Sequence, residues 1–191
     1  MPVQPIDPAG AMRTMREALP IRTERLVLRT LRPDDIDRVR DYRNAPGQRR
    51  WTYNADQTEA ELMAWTAGGA PVILRDGDAV QLGIELDGVL VGDLMVRVTS
   101  LASAQAELGW MVAAETQGKG VASEAATAAL ALCFALGAHR VIAHLDADNV
   151  ASQRVAERLG MAVEGRFVED ELNPATGELG TSLILAIRRP A

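Results

Sequence analysis

From residue 21 onward, apolar and polar positions alternate in blocks that change period along the chain. Residues 25–31 (Arg-Leu-Val-Leu-Arg-Thr-Leu) carry the two-residue period of a half-buried strand. Pro33-Asp34-Asp35 supplies a helix start, and Ile36, Val39 and Tyr42 follow at helical spacing until the pattern fades near Pro46-Gly47. A second helix is expected after Asp56-Gln57-Thr58, through Glu61, Leu62 and Trp65. Residues 79–86 and 89–98 read as strands around Asp87-Gly88, a dipeptide suited to a tight hairpin. A third strand at 103–112 puts Ala104, Ala106, Leu108 and Trp110 on one face. Residues 121–136, rich in Ala and Leu and followed by Gly137, predict the most secure helix.

Residues 140–145 read as a strand, and a helix then opens at Asn149 and ends at Gly160. Two closing strands are expected at 163–168 and 181–188, joined by an acidic loop over 169–180. Residues 1–20 contain Pro2, Pro5, Pro8 and Pro20 and read as a loose lead-in to one domain over 21–191. The order, an antiparallel meander followed by strand–helix–strand units, predicts an α+β fold.

Composition narrows the class. The chain has 191 residues, 48% hydrophobic and 24% charged, as in a soluble globular domain. A net charge of -6 argues against a nucleic-acid partner. The single cysteine, Cys133, forms no internal disulfide, and there is no long apolar run or apolar leader. The expectation is a cytoplasmic protein without a membrane partner. No spacing of Cys, His or acids resembles a metal site, so no metal is expected.

The candidate chemistry centres on Glu115 to Ala126, ETQGKGVASEAA, which holds the only lysine of the chain, Lys119, between two glycines. Glycines ahead of a helix let a ligand approach backbone amides that point outward, an arrangement suited to phosphate. The pattern is neither a P-loop, which needs Gly-x-x-x-x-Gly-Lys-Ser/Thr, nor a dinucleotide fingerprint, because the preceding strand closes a meander. A plain glycine loop before a helix is the competing reading.

In context, Gln117-Gly118-Lys119-Gly120-Val121-Ala122 resembles Gln/Arg-x-x-Gly-x-Gly/Ala, the acetyl-CoA pyrophosphate loop of the GNAT N-acetyltransferase superfamily. Asn149-Val150-Ala151-Ser152, running to Leu159-Gly160-Met161, is similar to that family's second signature. Thr23-Glu24-Arg25-Leu26-Val27-Leu28-Arg29 resembles the first strand of the RimJ/RimL-like ribosomal-protein acetyltransferases, Glu107-Leu108-Gly109-Trp110 their Ile-Gly-Tyr strand, and Glu164-Gly165 their Glu-Gly. The resemblance covers residues 21–188 in order.

That resemblance implies a mixed, mostly antiparallel central sheet of six to seven strands with flanking helices, splayed between the fourth and fifth, here 103–112 and 140–145. It implies acetyl-CoA as cosubstrate, with pantetheine along the first of these strands and pyrophosphate on the amides of Gln117, Gly118, Lys119, Gly120, Val121 and Ala122. A main-chain N–H among Trp110, Met111 and Val112 would steady the reaction's oxyanion, and Asn149 would order its turn and bond the pantetheine. The acceptor is an amine, either a protein N-terminus or a small molecule.

For the proton steps, Glu107 is the first candidate base, against a plain surface role. Asp146 and Asp148 are alternatives that could instead hold a cationic amine. The tyrosine that many relatives use as the acid has no counterpart here, since Tyr42 and Tyr53 both come early. Ser152 is the substitute, with helix capping as its rival role. His144, in an apolar strand, reads as a core residue. Trp51, Tyr53, Trp65 and the acidic run beginning at Glu169 are expected at the acceptor groove. The alternative function is an acyl-CoA sensor without turnover; transfer of a longer acyl group is a further variant, and a homodimer is possible.

Overall fold

The computed structural model describes residues 3–45, 47–51, 58–67 and 71–190. Eight strands form one sheet in the order β1-β2-β3-β4-β5-β6-β8-β7. They are β1 (Ile21–Arg22), β2 (Leu26–Thr30), β3 (Ala79–Leu86), β4 (Val89–Ser100), β5 (Gln105–Val112), β6 (Arg140–Asp146), β7 (Ala162–Asn173) and β8 (Glu178–Arg188). All neighbours are antiparallel except β5 and β6. The strand count exceeds the six to seven expected, in part because β1 is only two residues long. Asp87 and Gly88 turn the β3–β4 hairpin with φ of 51 and 78, the left-handed pair that matches strand twist.

Among the described residues, five α-helices cover the sheet: α1 (Pro8–Ala18), α2 (Ile36–Arg43), α3 (Glu59–Thr66), α4 (Val121–Ala135) and α5 (Val150–Arg158). The main core packs α1, α4 and α5 on β2–β6 through residues such as Met15, Leu28, Leu94, Leu108, Ala129 and Val155. A smaller cluster, Leu31, Val39, Tyr42, Leu62, Leu90 and Met111, seats α2 and α3 on the other face. Met111 and Leu108 belong to different clusters because side chains alternate across β5. Among the described residues, no helix is long and apolar enough to cross a membrane.

Two expectations are corrected. The loose lead-in is instead anchored: Asp7 caps α1 by accepting from the N–H groups of Ala9 and Gly10, and Ile6, Ala11 and Met15 are buried. Its prolines do not preclude this, because Pro8 occupies the first helical position, where no N–H is needed. The acidic run 169–171 lies within β7, not in a loop. An edge strand tolerates these acids because its residues face solvent, and the β7–β8 register shifts between Phe167 and Glu171 to accommodate them.

Candidate active site

The sheet opens at its centre. β5 and β6 pair only at Gln105, Ala106 and Glu107 against Arg140, Val141 and Ile142. Beyond that point β5 stays with β4 to Val112, and β6 stays with β8 to Asp146, so the two part company. This is the expected splay. Gly92 on β4 fixes the far end of β5: a Cβ there would lie 2.2 Å from the Met111 carbonyl oxygen, so only glycine allows the approach.

The mouth of the splay is built from two helix starts. After a short turn at Ala114–Thr116, Gly118 and Gly120 adopt φ of 73 and 80, which glycine alone takes without strain. Gly120 is the N-cap of α4 and has no side chain to cap it. The first helical bond there is Glu124 N–H to Gly120 O, and the N–H groups of Gly118 through Ser123 find no acceptor among the described residues. Their partial positive charge adds to that of the helix start. Opposite, Asn149 caps α5 by accepting from the Ser152 N–H at 3.1 Å. Capping therefore belongs to Asn149, and the Ser152 side chain lies on the cavity wall.

Both starts border one cavity of about 1220 Å³ that passes through the splay to the α2–α3 side. Of the residues expected to hold the cosubstrate, Trp110, Met111, Val112, Gln117, Gly118, Gly120, Val121, Ala122 and Asn149 line it. Lys119 is exposed and outside the lining, and its carbonyl accepts from the Arg25 guanidinium. The side-chain amides of Gln48 and Gln117 both donate to the Val112 carbonyl, at 3.0 and 3.3 Å, tying the strand end to the loop.

On the α2–α3 side the floor is read directly from the strand register. Met95 faces Gly109 and Gln81, Arg97 faces Glu107, and Asp93 faces Met111. Glu107 is on the wall and accepts from Arg97 at 3.2 Å. Asp93 is buried and accepts from the Tyr42 hydroxyl at 2.6 Å and from two nitrogens of Arg43. The Arg43 guanidinium also stacks 4.0 Å over Trp65. Burial, and then the Asp93 charge, push the Tyr42 phenol far up, so it remains a donor at any working pH.

The remaining predicted residues divide. Trp51 and Asp146 reach the wall, whereas Asp148 and Glu169 are exposed and do not; Glu171 of the same acidic run does. Tyr53 lies outside the described residues. Asn173 ties this hairpin to the segment bearing Trp51 by donating to the Arg50 carbonyl at 2.6 Å. His144 is corrected: it is exposed on the cavity wall, because alternation along β6 puts it on the face opposite the buried Val141 and Ala143. Arg154 and Arg158 on α5 also line the cavity, four residues apart on the helix face toward the loop. The arginine pair four apart after Asn-x-x-Ser is the signal that could have flagged them.

A family model described as an acetyltransferase (GNAT) domain matches residues 25–162. The chain belongs to the GNAT acetyltransferase family. YnaD of Bacillus subtilis strain 168, an uncharacterized N-acetyltransferase, is 32% identical over 155 residues, covering 77% of this chain and 85% of YnaD. A GNAT-family acetyltransferase from Bacillus anthracis superposes with a TM-score of 0.76 at 26% identity, covering 88% of this chain and 97% of that one. Mycobacterium smegmatis RimJ in complex with CoA-disulfide gives 0.68 at 25% identity, covering 85% and 81%. The splayed sheet and glycine loop are thus those of a GNAT acetyltransferase.

Proposed function

We propose that the protein transfers the acetyl group of acetyl-CoA to a primary amine by direct attack within a ternary complex. The observation that carries this reading is the continuity of the central cavity. It joins uncapped amides at Gly118 to Ser123, an open edge of β5, and a polar chamber beyond. The amides suit a pyrophosphate, and Arg154 and Arg158 add two cations at the same end of an acidic chain. The open β5 edge suits the amide groups of a pantetheine arm.

At the junction, the amine nitrogen attacks the thioester carbonyl carbon and an oxyanion forms near the N–H groups of Trp110 to Val112. One removed donor of this kind typically costs about 3 to 4 kcal/mol of barrier. The C–S bond then breaks, and the leaving thiolate takes a proton relayed through the Ser152 hydroxyl, which gives up its own proton as it accepts one from water. The amine's proton passes to a wall carboxylate. Glu107 and Glu171 compete for that step. Glu107 is bonded to Arg97, whereas Glu171 has no partner among the described residues, and the balance favours Glu171. Gln81, whose side-chain oxygen has no partner among the described residues, offers an acceptor for a substrate N–H.

The acceptor chamber suits a peptide N-terminus or a small amine, with Asp146 and Trp51 as contacts alongside Glu171; Asp148 and Glu169 act only at its rim. Calorimetric titration with acetyl-CoA, followed by thiol release against a panel of peptides and amines, tests the reading. Saturable binding with acceptor-dependent release supports it. Binding without release from any acceptor points to an acyl-CoA sensor.

A further inference from the structure

The motif at the start of the sheet, Thr23-Glu24-Arg25-Leu26, has no part in the acetyl-transfer steps, yet its side chains reach the loop almost a hundred residues later. The turn between β1 and β2 folds on itself: Thr23 N–H donates to the Leu26 carbonyl at 3.0 Å, and Leu26 N–H to the Thr23 hydroxyl at 3.0 Å. This presents a socket of donors. The carboxylate of Glu124, in the first turn of α4, fills it. One oxygen accepts from the Thr23 hydroxyl at 2.5 Å and the Arg25 N–H at 2.9 Å; the other accepts from Arg25 Nε and Nη2, both at 2.7 Å. The remaining guanidinium nitrogen, Nη1, donates to the Lys119 carbonyl at 3.1 Å.

Lys119 is the residue between the two left-handed glycines. Its carbonyl is the one point of Gly118–Gly120 that a side chain holds among the described residues. Glycines free the backbone to adopt this shape but also let it leave the shape, so an unbraced loop must be ordered by its ligand at a cost in affinity. We propose that Arg25, seated by Glu124 and Thr23, is a positioning residue that holds the Gly118–Gly120 loop in its anion-binding shape before the ligand arrives. The loop's affinity for a diphosphate is thereby set from the first strands of the sheet. Arg25 acts through the Lys119 carbonyl rather than as a ligand, because each of its three guanidinium nitrogens already meets a protein oxygen.

The inference rests on the reading of this loop as the pyrophosphate site of CoA, and its test separates the two. Calorimetry measures CoA, and ligand-observed NMR measures S-acetylpantetheine, which keeps the thioester arm but lacks the diphosphate. The expected result is that Arg25→Ala weakens CoA by about tenfold or more, the scale of a hydrogen bond to a charged group, and leaves S-acetylpantetheine unchanged. Arg25→Lys, which keeps one donor, falls between, and it carries the comparison if the alanine variant does not fold. The Arg25 side chain is 43% exposed, so its loss leaves the core intact. Equal loss for both ligands would show a general structural role and overturn the proposal, as would unchanged CoA binding. Wild-type protein that binds no CoA would overturn the pyrophosphate reading and this inference together.

Discussion

In the proposed mechanism Ser152 and one of two wall carboxylates carry the proton steps, and single substitutions separate their roles. Ser152→Ala is expected to lower kcat by about 100-fold, with CoA affinity within twofold of wild type in calorimetry, because Asn149 and not Ser152 caps the helix. Glu171→Gln is expected to cost more in kcat than Glu107→Gln, whose partner Arg97 marks it as part of the floor. The reverse order would return the base to Glu107. Cys133 gives a simpler test. Burial pushes its thiol up to about 12, and it is fully covered in α4. A thiol reagent at pH 8 is therefore expected to leave the native protein unlabelled and to react stoichiometrically once it is unfolded.

At the scale of elements, α1 behaves as a structural helix. Met15→Ala is expected to cost about 2 to 5 kcal/mol in denaturant unfolding, since the side chain is wholly buried between the helix and the core. A loose segment would show no loss. The start of α2 adds a pH dependence. Burial pushes the Asp35 carboxyl up, but the Arg29 guanidinium and the Arg32 N–H more than offset this and hold it below its ordinary 3.8. A carboxyl whose folded value is depressed contributes stability above its unfolded pKa and loses it as pH falls through the folded one. Stability is thus expected to drop below about pH 4, and Asp35→Asn to flatten that limb at the expense of stability at neutral pH.

Elements announced by local chemistry were legible in the sequence. The Asp87-Gly88 turn, the Ala- and Leu-rich α4 and the Asn149 cap each depend on near neighbours. What was not legible depends on distant ones. Helix α1 has no large apolar residue besides its two methionines, and it is held because α4 and the sheet receive Ile6, Ala11 and Met15. The Arg43–Asp93 contact joins residues 50 apart. Glu171 reaches the cavity, where Glu169 does not, through a register shift that no alternation pattern encodes. The glycine loop over residues 117–122 was legible residue by residue; its contact with Arg25 was not.

For the whole molecule, one cavity with two unlike ends is the central feature: free amides and two arginines at one end, paired charges and tryptophans at the other. Replacing both Arg154 and Arg158 with alanine is expected to weaken CoA and to flatten the salt dependence of its binding, with melting unchanged, because both side chains are exposed. The most direct test of the account is a calorimetric titration of CoA into wild type and Gly120→Glu. At φ 80 a side chain is strained, its Cβ would lie 3.4 Å from Arg25, and the added carboxylate repels phosphate. The account predicts saturable one-to-one binding to wild type and none to a variant that still melts cooperatively. Equal binding by the two proteins, or none by wild type, would contradict it.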